Sequence, residues 1–452
     1  MKSKVDMLSG SIFKGLISMT IPIMLMNVMQ IMFNVIDMTV LGNFVNDKAV
    51  GAVGACGTLI TLCSSLLIGV STGANVVIAK HIGKGDQENT EKAVGCAILF
   101  SIVGGAILSV IGICFAEIFL RWTNCPEELL KMSVTYFRIY FLGVPVILFY
   151  TFCAAILRSV GDTKRLMSYS IIGGVTKIIL NLFCILVLNL NVEGVAIATI
   201  VCNAVSGILC FITIVKSKDA IRFNYKKMRI YGSELKQMLQ IGIPTGLQSA
   251  LYSFANTVIA AAVNGFGTDA TTGLSIANQF DGILYQVIHS PSLAAIPFVA
   301  QNLGAGNIKR VKESIGKSLI ITIIFGASLG SLSAIFSGEL SSIMSSTPEV
   351  IMYSQQKMII VSSTYFICGI NEVLSGSLRG LGKPMVPTIS TLIFMCFLRL
   401  FWVSFIFPLC RTLTFLYLVW PVGWVLCIIV ALCVLIPTVK KLQNAFNKKR
   451  AE

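Results

Sequence analysis

Twelve apolar runs, each long enough to cross a bilayer, constrain this chain more than any other feature. They fall at about 15–45, 50–80, 93–120, 133–157, 167–190 and 195–216, then at about 237–265, 271–301, 315–338, 350–378, 386–409 and 414–439. About 20 apolar residues in a helix span the hydrocarbon layer. A helix satisfies its own backbone there, where no water can. The expected class is therefore an all-α integral membrane protein. Composition agrees: 55% of the 452 residues are hydrophobic and 12% charged, with a mean hydropathy of +0.84, more apolar surface than a soluble domain needs. The first run is too long for a signal-peptide core and ends in no small-residue cleavage site, so it reads as a retained span. The fourteen cysteines are scattered singly without a CxxC pair, which suits neither a metal site nor a disulfide framework.

The net charge of +15 raises nucleic acid as a partner, but the positions of the bases answer otherwise. With the N-terminus placed in the cytoplasm, 27 of the 35 Lys and Arg fall inside, among them Lys2, Lys218, Lys449 and Arg450. Five (Lys48, Arg121, Lys131, Lys357, Arg411) fall outside or at the outer end of a span, and Arg138, Lys177 and Arg399 lie within spans. That asymmetry is a topology signal: a multi-pass protein of a plasma membrane with both termini cytoplasmic and no nucleic-acid partner.

The chain also repeats itself. VIAKHIGKGDQEN (77–89) aligns with FVAQNLGAGNIKR (298–310), pairing Gly83 and Gly85 with Gly304 and Gly306 at an offset of 221. At the same offset LRSVGDTK (157–164) aligns with LRGLGKPM (378–385), and at 222 Ile21-Pro22 matches Ile243-Pro244 and Asn34 matches Asn256. The basic stretch between the halves is a cytoplasmic linker. The expected organisation is a cytoplasmic tail 1–14, a six-helix lobe 15–216, a linker 217–236, a six-helix lobe 237–439 and a tail 440–452. Six spans bring each half into the membrane in the same direction, the parallel-repeat arrangement of transporters.

Asn27, Gln30, Asn34 and Asp37 are spaced 3, 4 and 3 along the first span, which places them on one helical face. A carboxylate at that depth costs roughly 2.5–3.5 kcal/mol on insertion scales and is rarely there without a use. The equivalent positions of the second half are Ser249, Tyr252, Asn256 and Ile259; the polar face persists and the acid does not. Lys177 lies one turn before Asn181, where it can neutralise Asp37, and Thr199 and Asn203 lie one turn apart on the sixth span. A second stripe, Asn278, Asp281, Tyr285 and His289, runs along the eighth span. It reads either as a substrate or second-ion site, with Gln30, Tyr252 and Asn256, or as an acid pairing with a base such as Arg399. Pro291 and Pro297 are expected to break that helix. Glu372 reads as one half of a salt bridge near the cytoplasmic end, with Lys177 and Arg399 as the other buried charge partners. His81 is expected in a loop.

Taken together, the twelve runs, the paired Arg-x-x-Gly turns at Arg158–Gly161 and Arg379–Gly382, the Gly-x-Gly turns, the Ile-Pro openings and the NVIDMTVLG run around Asp37 resemble the multidrug and toxic compound extrusion (MATE) family. The resemblance implies two pseudo-symmetric six-helix lobes in a V around a central cavity. It implies export of cationic or amphipathic organic compounds in exchange for inward H⁺ or Na⁺, no cofactor beyond the coupling ion, and a monomer. Asp37 matches the first-span acid of the DinF-like branch and Asn181 its fifth-span Asn, so the implied ion-coupling set is Asp37, Asn181, Thr199, Asn203 and Asn34, with Na⁺ at Asp37 as the alternative to a proton. A second acid common in that branch is Ile185 here, which tilts the reading to protons. The other branch's Glu and Asp correspond to Tyr252 and Cys368 and are not carried over. A flippase for lipid-linked saccharides is the alternative activity. An enzyme is excluded by the lack of HExxH, GxSxG or any nucleophile–base constellation.

Overall fold

The computed structural model describes residues 4–451 except 124, 218 and 219. Lys2 and Lys218 of the inside count, and the side chains of Lys449 and Arg450, lie outside the described residues. The elements, in order, are α1 (Ile12–Phe44), α2 (Asp47–Lys84), α3 (Gln87–Trp122), α4 (Glu127–Leu142), α5 (Val144–Ser159), α6 (Thr163–Leu186), α7 (Val192–Lys216), α8 (Gly232–Asn264), α9 (Thr268–Gly304), α10 (Ile308–Ile335), α11 (Ser337–Ser342), α12 (Pro348–Ser363) and α13 (Tyr365–Gly380). Then α14 (Met385–Thr391), a π-helical turn (Leu392–Phe397), α15 (Leu398–Phe401) and a second π-helical turn (Trp402–Ile406) form one continuous segment, followed by α16 (Leu413–Tyr417) and α17 (Val419–Ala451).

Among the described residues nine helices are long and apolar enough to cross a membrane, and eleven spans result when α4–α5 and α12–α13 each count as one bent span. The helix left over is α8, 33 residues long, whose first half carries Glu234, Lys236, Gln237 and Gln240. With α8 the elements number the twelve expected. Both bends are 47° and occur at equivalent places, after Leu142 and after Ser363.

The duplication extends to local geometry. Gly85 and Gly306 both have φ of 70°, and Gly161 and Gly382 have 75° and 77°. These left-handed values strain any residue with a Cβ, which is why these four positions of the repeat are glycine. After the first pair, Asp86 accepts from the Asn89 N–H and Asn307 from the Arg310 N–H, capping α3 and α10 alike.

The chain forms two compact units, residues 1–5 with 25–242, and residues 6–24 with 243–452. Their borders fall inside the first and seventh spans rather than at the starts of the two six-span sets. Side chains explain the assignment. In the second unit Arg310 donates to the carbonyls of Met7, Ser9 and Gly10 at 3.0–3.1 Å, and Asn302 also donates to Met7 at 3.0 Å. In the first unit Glu91 accepts from Asn224 and pairs with Lys227 at 3.1 Å. His81 meets Glu234 at 3.0 Å. His81 is thus in the last turn of α2, buried, and not in a loop.

One further expectation is corrected. α9 runs unbroken through Pro291 and Pro297, because its neighbours hold it: Ser292 donates to the Glu372 carbonyl and Thr322 to the Ile288 carbonyl, the kind of support that lets membrane helices keep proline. Beyond the last span, α17 continues through residues 440–451, with Leu442 and Phe446 packed against the core that contains Ile308 and Val311.

Candidate functional site

In the first unit Asp37, Lys177 and Asn181 meet. Lys177 Nζ lies 2.5 Å from Asp37 Oδ2, and Asn181 Nδ2 donates to Asp37 Oδ1 at 2.6 Å. The spacing of four residues on α6 stacks the base and the amide on one face, so both oxygens of one carboxylate are engaged from one helix. Asp37 is 8% exposed, Lys177 6% and Asn181 not at all. Asn181 Oδ1 is buried without a hydrogen-bond partner among the described residues.

Other members of the expected ion set are elsewhere. Thr199 donates to the Val195 carbonyl and Asn203 to the Thr199 carbonyl, so each closes on α7 instead of reaching Asp37. Polar side chains in apolar surroundings satisfy themselves on the nearest carbonyl, here one turn back. Asn34 and Gln30 are exposed.

The second unit contains the eighth-span stripe. Asp281 Oδ2 pairs with Lys357 Nζ at 2.7 Å, and Lys357 also donates to Asn278 Oδ1. Ser362 donates to Asp281 at 3.4 Å. The expected partner, Arg399, is not there. Lys357, sorted outside by charge counting, lies buried in α12 and was missed; the signal was a lone base inside an apolar run. Arg399 instead donates to Asn256 Oδ1 at 2.6 Å and lies over the rings of Tyr252 (5.5 Å) and Trp420 (5.0 Å). Trp424 donates to the Tyr252 hydroxyl at 3.1 Å. Tyr252 stacks on Tyr285, and Tyr285 on His289 at 5.4 Å and 11°. His289 lies 3.6 Å from Glu372. Arg379, seven residues on from Glu372, donates to Gln248 instead. Lys357 also lies 5.6 Å from the centroid of the Trp420 ring, which joins the stripe into one aromatic and charged network.

A family model, MatE, matches residues 22–183 and 244–403, once in each half of the chain. The chain belongs to the MatE family. Membership makes it a multi-span membrane transporter and not an enzyme. The Bacillus subtilis "Probable multidrug resistance protein YoeA" is 26% identical over 387 residues, 84% of this chain and 83% of that protein. A Shewanella oneidensis relative named "FAD transporter" is 26% identical over 396 residues, 85% and 86% of the two chains. The fold matches a MOP superfamily transporter from Pyrococcus furiosus, described as having a binding pocket of reverse polarity, with a TM-score of 0.90 at 19% identity over 98% of this chain and 99% of that one. It also matches an outward-facing multidrug resistance MATE transporter, with a TM-score of 0.87 at 18% identity over 99% of each chain. This MatE chain is thus all-α and two-lobed.

Proposed function

We propose that this MatE chain is a secondary antiporter of a bacterial inner membrane, with cytoplasmic termini. It exports amphipathic organic compounds, cationic ones included, in exchange for inward H⁺, by alternating access as a monomer. The observation that carries the reading is the buried Asp37–Lys177–Asn181 set. With Asp37 ionised, its charge is balanced by Lys177 and both oxygens are occupied. A proton on Asp37 removes the charge and leaves Lys177 buried beside a neutral acid, a costly arrangement. Proton binding therefore favours a different packing of α1 against α6, and a substrate that prefers the deprotonated packing competes with the proton.

Lys177 also supports H⁺ over Na⁺. Sodium needs several oxygens close by, and here the Lys177 ammonium occupies Asp37 Oδ2 and the Asn181 amide N–H occupies Oδ1.

Proteoliposomes with an imposed pH or Na⁺ gradient test the proposal, following uptake of ethidium by wild type and Asp37→Asn. A pH gradient alone should drive wild-type uptake, and Asp37→Asn should abolish it while ethidium still binds. Uptake driven only by Na⁺, or surviving in Asp37→Asn, sinks the proposal.

A further inference from the structure

The two halves treat their buried bases differently. Lys177 and Arg399 are equivalent at the offset of 222, as are Asp37 and Ile259, and Asn34 and Asn256. In the first unit the base has its acid. In the second the acid is an isoleucine, and the base is answered by the amide one turn away. Arg399 is completely buried. Its polar contacts are Asn256 Oδ1 at 2.6 Å, Met395 Sδ at 3.8 Å and the Tyr252 hydroxyl, and it lies over the rings of Tyr252 and Trp420; among the described residues no carboxylate pairs with it. Its Nε is buried without a hydrogen-bond partner among the described residues. A guanidinium offers five N–H donors, and at least the Nε donor is unspent here, at a depth where an unbalanced charge is expensive.

The backbone is unusual at the same place. α6, which carries Lys177, is regular, whereas Arg399 lies in a four-residue helical turn between two π-helical turns, Leu392–Phe397 and Trp402–Ile406. Such turns cost helix geometry and recur at functional sites. Asn256 is exposed, so one side chain separates the guanidinium from the surface.

We propose that Arg399 is a binding site for the acidic group of an aromatic or amphipathic substrate, entering where Asn256 Oδ1 now sits, with its apolar body against Tyr252 and Tyr285. The anion supplies the charge that Ile259 does not. This deepens the transporter reading, on which it rests for the word substrate, by adding acids and zwitterions to what the protein accepts. The neighbouring base does not compete for the role, because Asp281 balances Lys357. An aromatic acid in solution and a lipid headgroup share this chemistry.

The test is equilibrium binding to the purified full-length protein in maltoside, read by fluorescence anisotropy. No ion gradient is involved, so failure of Asp37 coupling leaves the result untouched. Dansylglycine is compared with its neutral amide, dansylglycinamide. Wild type should bind the acid at least about tenfold more tightly, the scale of one charge-assisted contact. Arg399→Gln should erase the preference and Arg399→Lys keep part of it, since lysine retains the charge without the fork. Asn256→Asp, at an exposed position, supplies the missing carboxylate and should erase the preference even if Arg399→Gln fails to fold. Equal affinity for the two probes in wild type, or a preference that survives Asn256→Asp, overturns the proposal. Competition by dihexanoyl phosphatidate and by benzoate separates the sources. Displacement of dansylglycine at lower phosphatidate assigns the site to a lipid headgroup, and at lower benzoate to a soluble aromatic acid.

Discussion

Asp37 and Lys177 stabilise each other only as a pair, and this distinguishes them from the exposed ion pairs of the molecule. Removing one partner of a buried pair strands a charge and costs about 3–5 kcal/mol, whereas replacing both is often near neutral. Lys177→Met should therefore lower the unfolding temperature in detergent markedly, and Lys177→Met with Asp37→Asn should recover most of the loss. By contrast, removing the exposed Lys48–Glu128 pair should change stability by less than about 1 kcal/mol. Asp37, Lys177 and Asn181 could be read from sequence because helical spacing fixes which residues share a face. The Arg399 contact could not. Its partner depends on how far π-helical turns rotate the side chain, and nothing in LIFMCFLRLFWVSFI marks those turns. Nor did charge sorting identify Lys357, since a base near a span end reads as a topology signal until its acid is seen.

At the scale of elements, close approach explains several glycines. A Cβ on Gly73 of α2 would lie 2.0 Å from the Met238 carbonyl oxygen of α8, backbone that cannot move aside cheaply. Gly73→Ala should therefore reduce the yield of folded protein, while Gly54→Ala on the same helix, where a Cβ meets nothing within 4 Å, should be neutral or slightly stabilising; fluorescence-detected gel filtration separates the two. The segment before α1 adds a pH effect. Hydrogen bonds from the Ser9 hydroxyl and N–H and from the Leu8 N–H, with Arg310 nearby, hold the Asp6 carboxyl below its ordinary value. A depressed acid contributes stability that is present above the unfolded value of about 3.9 and is lost as pH falls through the folded one. Protease cleavage near residues 6–11 should thus rise below about pH 4 and should rise at neutral pH in Arg310→Ala.

Across the whole molecule the internal repeat was the most legible feature. It appeared in short motifs and reappears in matched φ angles, matched caps and two equal bends. The borders of the compact units were less legible, because they depend on where residues 6–24 and 232–242 pack, and that is decided by single side chains such as Arg310, Asn302, His81 and Glu91. The repeat also shows where the halves diverge: one keeps an acid beside its buried base, and the other keeps the base with an amide.

On the proposed antiport mechanism the first unit is the place where a proton and a substrate exclude one another, and calorimetry reads that exclusion directly. Ethidium binding to the detergent-solubilised protein is measured near pH 7 in two buffers of different ionisation enthalpy, which gives the protons released per ligand bound. Wild type should release protons on binding, less so as pH rises, and Asp37→Asn should release none at similar affinity. Binding without proton release in wild type, or equal release in Asp37→Asn, would contradict Asp37 as the coupling residue.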